Sequence, residues 1–335
     1  MISVPSFSGS YDFQSYSEIE TRIKKFDKHS VIGIDGSGTH DMHLIELGEE
    51  GKPPLLLTAS LHGSEWQSTQ YNLTFMEQLR DDAYPDKKMR DDLMANYHVL
   101  CIPVCNPWGL TKTSPYAITD GRFTSSGADL NADFHPFNEP ESQVIKKIMD
   151  KYPIFAYLDS HLIRGHVRDV YLIVGNGQSA TDDIKENWAS SLENFSNQPV
   201  DRWSAYDNSL AMGLTRRYMR DKPNPYTPYT LSYITEIARP VNETAGFHAP
   251  LTDEEIYQFG MANVYLFMKT SLEYFEQHNH GDILRIETPT TVYEIARDYE
   301  GNFSEATETT DNQTIKSTVT RGEKGEVVSV IRELV

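Results

Sequence analysis

The sequence predicts an α/β fold, a sheet covered by helices, on three observations. Apolar runs of strand length alternate with longer runs of helical period through the first 280 residues. Apolar residues make up 39% of the 335, enough for a full core. Strand-like runs end at His62, His161 and Glu236, and open α/β sheets keep their sites at the carboxyl ends of strands.

Strands are expected at Val31–Ile34, His43–Leu47, Pro54–Ser60, Tyr97–Val104, Ile154–Asp159, Asp169–Val174 and Tyr229–Glu236, each a short apolar run with β-branched or aromatic content. Helices are expected near Ser15–Lys25, Ser64–Arg80, Pro140–Tyr152, Thr181–Phe195, Asp207–Arg220 and Asp253–Gln277. In the last, Ile256, Phe259, Val264, Leu266, Phe267, Leu272 and Phe275 form a buried stripe, and Asp253 and Glu254 suit the positive end of the helix dipole. Gly33-Ile-Asp-Gly36-Ser-Gly38 lacks the Lys-Ser/Thr ending of a phosphate loop and reads as a tight turn between antiparallel strands.

Composition changes after His280. Residues 281–335 hold no Cys, Trp or His, carry 11 acids against 6 bases, and contain strand-like pieces at Thr291–Ile295, Thr314–Val319 and Glu326–Ile331. The expected division is therefore a domain over 1–280 and a small β-rich C-terminal extension over 281–335 without visible chemistry.

Charge excludes some functions. A net charge of −19 repels phosphate backbones, so nucleic acid is not an expected partner. Two cysteines make no disulfide framework. Cys101 and Cys105 read as buried thiols in one strand, about 13 Å apart. No signal peptide and no apolar run long enough to span a bilayer are visible, so no membrane is expected and the cytoplasm is the default compartment. A protein released by lysis or carried in a virion would read the same. Oligomeric state leaves no trace in the sequence.

The informative segment is Leu61-His62-Gly-Ser-Glu65-Trp66, where a buried strand turns at Gly63 and a helix begins. An imidazole and a carboxylate three residues apart across such a turn converge on one point. Alone the pair has a plain structural account, with Glu65 complementing the helix dipole. His161, at the end of another buried strand, can complete a His2Glu set for one Zn2+ ion with an open fourth position. Asp159 is a candidate partner behind His161. Glu236, at the end of a third strand, is a candidate general base, with an ion pair to Arg239 as its structural alternative.

These pieces, in order, resemble the zinc carboxypeptidases of the funnelin type. The matching residues are Tyr16-Ser-Glu-Ile19, the Gly-Ile-Asp-Gly turn, His62-Gly-Ser-Glu65-Trp66, Asn106-Pro-Trp-Gly109, Asp129-Leu-Asn131 with Phe134, Glu139-Pro-Glu141, Asp159-Ser-His161 and Glu236. The resemblance spans residues 12 to 277. It implies a mixed, twisted sheet of roughly eight strands with helices on both faces. It also implies a zinc metallopeptidase in which His62, Glu65 and His161 hold the metal and Glu236 is the base. Arg122 would stabilise the oxyanion, and a peptide or peptide-like molecule would be the substrate.

One departure bears on substrate. The family follows Asp-Leu-Asn with an arginine that, with the Asn, grips a terminal carboxylate; this chain has Asn131-Ala132. Arg164, Arg168, Arg216 and Arg217 are candidate replacements, Tyr218 is nearest the place of the family's mobile tyrosine, and Asn131 keeps its expected substrate contact. Carboxypeptidase-like cleavage is the leading expectation, with cell-wall or other unusual peptides as substrates by analogy. An amidohydrolase or deacylase on the same scaffold, or a binding protein without catalysis, are the alternatives. The intact His62, Glu65, His161 and Glu236 favour an enzyme.

Overall fold

The computed structural model describes residues 1–9, 11–115, 120–164, 171–175, 182–204, 214–220, 222, 224, 226–227, 230–239, 251–278, 284–287, 291–297, 303–310, 313–321 and 327–334. His166, Arg168, Asp221, Tyr229 and His280 lie outside the described residues.

The chain opens with α1 (Tyr16–Ile23), capped by a reciprocal pair in which Glu18 N–H donates to the Ser15 hydroxyl and Ser15 N–H to the Glu18 carboxylate. The hairpin β1 (His29–Ile34) and β2 (Asp41–Gly48) follows, turning where Asp35 N–H donates to His40 O and Gly38 sits at φ +72°. That is the turn expected from the glycine cluster.

Next come β3 (Pro54–Ala59), α2 (Trp66–Arg80), α3 (Lys87–Asn96), β4 (His98–Ile102), α4 (Pro107–Lys112), a 3₁₀ turn at Leu130–Asp133, and α5 (Pro140–Lys151). The rest of the sheet region is β5 (Ala156–Arg164), β6 (Tyr171–Gly175), α6 (Asp182–Ser196), β7 (Val200–Ser204), α7 (Leu214–Arg220), β8 (Leu231–Arg239) and α8 (Asp253–His278).

The eight strands form one mixed sheet in the order β1-β2-β4-β3-β5-β8-β6-β7. Strands β4, β3, β5 and β8 run parallel at its centre, with β2 antiparallel to β4 and β6 antiparallel to β8. A parallel centre must be covered on both faces, and β3 and β4 are buried along their whole length. On one face Met42, Leu44, Leu56, Leu100, Ile102 and Tyr157 meet Val144, Ile145 and Ile148 of α5. Helix α2 lies on the other face, and 13 of its 15 residues are buried, which explains its weak amphipathic pattern. Two of its interior hydroxyls are satisfied by main chain: Ser68 Oγ donates to Glu65 O, and Thr69 Oγ1 to Pro103 O.

Cys101 lies in β4, but the strand ends at Ile102 and Cys105 falls in the following turn. The expectation that both share one strand is therefore corrected; both thiols are free and buried.

A second, five-stranded antiparallel sheet is formed by β9 (Leu284–Glu287), β10 (Thr291–Arg297), β11 (Phe303–Thr310), β12 (Gln313–Arg321) and β13 (Val327–Leu334), each paired with its sequence neighbour. The chain divides into two compact units, 1–222 with 230–271, and 223–229 with 272–335. Among the described residues no helix is long and apolar enough to cross a membrane.

Candidate metal centre

The centre forms where β3 and β5 end side by side. These strands are parallel neighbours, with Ala59 opposite Ser160, so their outgoing residues emerge at one edge. Past β3 the backbone reverses through Ser60 at φ +48°, a conformation fixed by Ser60 N–H donating to Ser68 Oγ. His62 and Glu65 follow, joined by a Glu65 N–H to His62 O turn bond of 3.0 Å.

Gly63 is required here by close approach. A β-carbon on it would lie 2.2 Å from Leu110 N and 2.3 Å from the Gly109 carbonyl carbon. Gly109 in turn faces Gly121 O, 2.4 Å from where its own β-carbon would be. Three backbones thus touch in one seam, and Ser64 N–H bonds Gly121 O across it at 3.1 Å. Arg122 is the next residue along, so the seam sets its distance from the His62–Glu65 turn.

Glu65 is the hub. One carboxylate oxygen lies 2.8 Å from His62 Nδ1; the other lies 3.1 Å from His161 Nδ1 and accepts Leu162 N–H at 3.0 Å. The donor atoms of His62, Glu65 and His161 all fall within 4.8 Å of one another, and all three residues are buried. Each imidazole turns its far nitrogen to a carboxylate: His62 Nε2 to Asp129 at 3.1 Å and His161 Nε2 to Asp159 at 3.0 Å. A proton held at Nε2 by these acids leaves the Nδ1 lone pair of each ring pointing inward.

Among the described residues His161 Nδ1 makes no hydrogen bond of acceptable angle, in spite of its nearness to Glu65. A buried nitrogen of that kind needs a partner, and a cation between the two rings and Glu65 provides one. Two imidazole nitrogens and a carboxylate suit zinc, and the residues present fit the ion.

The anchoring acids are anchored themselves. Asp159 is fully buried, points the same way as His161, and accepts Thr58 Oγ1 at 2.8 Å and Thr215 Oγ1 at 2.5 Å. Burial alone would raise its pKa, but His161 and these hydroxyls lower it, so it stays ionised. Asp129 binds Arg122 at 3.0 Å, and Arg122 also comes within 3.7 Å of Glu65. Burial would likewise raise Glu65, yet the neighbouring imidazoles hold it well below the carboxylate range.

Glu236 is brought to the same edge by strand pairing: in β8 it lies directly opposite His161 in β5. Burial, with the negative Glu65 near, pushes its carboxyl up to about 7, against the pull of His161, His62 and Arg122.

The remaining expected residues are spread out. Asn131 is half-buried beside Asp129, its N–H donating to that carboxylate and its own Oδ1 without a partner among the described residues. Arg164 ends β5, and its side chain lies outside the described part of the structure. Arg216 is buried and Arg217 half-buried on α7. His135 is exposed. Tyr218 is not brought to the centre: its hydroxyl donates to Asp150 at 2.6 Å, at the C-terminal end of α5, and its ring packs on Phe137. Helix α5 leads into β5, so its last turn lies at the opposite end of the strand from His161. The sequence reading missed the hold of Asp129 on His62 and of Thr58 and Thr215 on Asp159. Only Asp129 carried a signal, as part of the Asp-Leu-Asn motif.

Residues 30–167 match the family described as zinc carboxypeptidase. This stretch belongs to the zinc carboxypeptidase family. The expected kinship and enzyme class, a zinc metallopeptidase, therefore hold. No curated protein matches the chain. Among solved structures, the fold is similar to carboxypeptidase A from Helicoverpa armigera, at 19% identity and a TM-score of 0.60 over 80% of this chain and 74% of that one. It is similar to a metallo-carboxypeptidase from Burkholderia cenocepacia, at 14% identity and TM-score 0.57 over 77% and 69%. Bovine thrombin-activatable fibrinolysis inhibitor, solved with a tick carboxypeptidase inhibitor, gives 15% and 0.57 over 80% and 99%. These likenesses extend the agreement in fold beyond the matched segment.

Proposed function

We propose that this zinc carboxypeptidase relative hydrolyses a peptide bond with Glu236 as general base, on a substrate that Ala132 does not hold by a terminal carboxylate. The observation that carries the reading is the pairing of Glu236 with His161 on adjacent strands, beside the convergence of both imidazoles on Glu65. His62, Glu65 and His161 would hold one Zn2+. When bound, it supplies Lewis-acid polarisation of the scissile carbonyl and a lowered pKa for attacking water.

The chain's own groups do the rest. Glu236 takes the proton of the attacking water and delivers it to the leaving amine, a role suited to a carboxyl in a sparingly solvated place. The Arg122 guanidinium, tethered by Asp129 and a third exposed, faces the carbonyl oxygen and balances the charge that develops there. Asn131 offers an amide to the substrate backbone, and Arg164 is the proposed replacement cation. Tyr218, tied to Asp150 away from the centre, has no role in this reading. Without an arginine at 132, a chain continuing past the scissile bond or a branched peptide, as in cell walls, fits the reading better than a free C-terminus.

The test is mass spectrometry of products from the zinc-loaded protein with linear peptides and peptidoglycan stem peptides, beside Glu236→Gln. Cleavage that disappears in the variant, with zinc retained, supports the reading. Equal cleavage by the variant, or a wild-type protein that binds zinc and cuts neither class, overturns it.

A further inference from the structure

A second set of metal-ligating side chains lies apart from the centre. Asp41 and His43 are two residues apart on β2 and therefore share one face of the strand. Glu20, on α1, comes down on that face. Donor atoms of Glu20, Asp41 and His43 all lie within 4.8 Å of one another. The imidazole is almost wholly buried, 1% exposed, with Nε2 3.3 Å from Glu20 Oε1 and Nδ1 without a partner among the described residues. Two donors each about 2.1 Å from one tetrahedral ion stand about 3.4 Å apart, close to that separation.

Glu20 and Asp41 also line a cavity of about 470 Å3 beside Phe13, Tyr16 and Thr111. The cavity gives an ion a path in and room for water on its open positions. Lys24 holds the other Glu20 oxygen, Oε2, at 2.9 Å, and more than half of its side chain is exposed.

The geometry points to a second divalent-cation site, made by Glu20, Asp41 and His43, that binds a zinc-class ion and pins α1 to β2. One imidazole and two carboxylates suit zinc or manganese better than calcium or magnesium. The site is independent of catalysis, since none of its residues belongs to the centre around Glu65.

Native mass spectrometry of the full chain titrated with Zn2+ tests it. The wild type takes up two ions, His161→Ala keeps one, and His161→Ala with Asp41→Asn keeps none. Asp41→Asn alone keeps one ion and loses a zinc-induced rise in Tm of roughly 4–8 °C at a hundredfold excess over Kd. Lys24→Ala tightens the second site by removing a competing cation, an effect that a simple Glu20–His43 hydrogen bond would not produce. A single ion in the wild type that is lost in His161→Ala, or a second ion indifferent to both Asp41→Asn and His43→Gln, overturns the assignment. If the catalytic reading fails instead, the ion dependent on Asp41 still binds.

Discussion

The Arg122 guanidinium and the Asp129 carboxylate lie 3.0 Å apart, and the other oxygen of Asp129 reaches His62 Nε2 at 3.1 Å. One acid therefore steadies both a proposed metal ligand and the cation proposed for the oxyanion. Asp129→Asn is expected to weaken zinc binding by roughly 10–100-fold, measured by competition with a chromophoric chelator. Unchanged affinity would mean that Asp129 does not orient His62.

Arg122→Met removes the cation and leaves the seam at Gly121 intact. Turnover should fall by about 10²–10³-fold, while zinc stoichiometry and Tm stay close to wild type. A change confined to KM would assign Arg122 to substrate binding.

Ala132→Arg restores the family's residue beside Asn131. A charge-assisted contact of about 1.5–3 kcal/mol corresponds to a gain of about 10–150-fold in kcat/KM for peptides with a free C-terminus, and none for their amides. Equal gains on both would show that position 132 does not face a terminal carboxylate.

Glu141 lies fully buried under the β1–β2 turn, with one oxygen accepting Gly36 N–H at 2.9 Å and the other without a partner among the described residues. Burial, helped by the negative Asp35, raises its pKa above the ordinary 4.5. The folded state thus binds this proton more tightly than the unfolded chain does. The stabilisation is complete below pH 4.5 and is lost as pH rises through the folded value. Glu141→Gln should raise Tm by roughly a few degrees at pH 8, with the gain shrinking toward pH 4. A gain that is constant with pH would point to packing instead of charge.

Gly63→Ala puts a methyl group against backbone and should cost about 1–3 kcal/mol in chemical denaturation. Gly38→Ala meets nothing within 4 Å and is strained only by φ +72°, so it should cost about 1–2 kcal/mol and leave zinc affinity unchanged. Loss of zinc affinity in Gly63→Ala alone would tie the seam to the metal set.

Much of this was legible because chemistry stood at strand ends. The apolar runs before His62 and His161 marked β3 and β5, and all seven of the expected strands overlap strands of the eight-stranded sheet. Helix α3 escaped because only Met89 and Leu93 are buried among charged neighbours, which left no stripe to read. Strand β7, Val200–Ser204, escaped because its five residues include Asp, Arg and Ser. Helix α4, six residues long, is set by Pro107 at its start and by Asn106 accepting Gly109 N–H, a signal too short for periodicity. The expected helix over Asp207–Arg220 is described only as α7. At the centre, the residues could be named but not their partners, because Glu65 and Leu162 meet across 97 positions of chain.

The glycine seam behind Gly63 has an engineering meaning. Gly63, Gly109 and Gly121 let three stretches of main chain meet, and the Asn106 amide ties Gly109 to the Arg122 and Phe123 carbonyls, so the gap between the proposed metal set and the Arg122 backbone is set by close backbone contact and one buried amide. Asn131 and Ala132 follow Asp129 directly, and Asn131 N–H donates to the acid that pairs with Arg122. Redesign of what the protein grips can thus be confined to these two positions, while the cutting edge keeps its calibration.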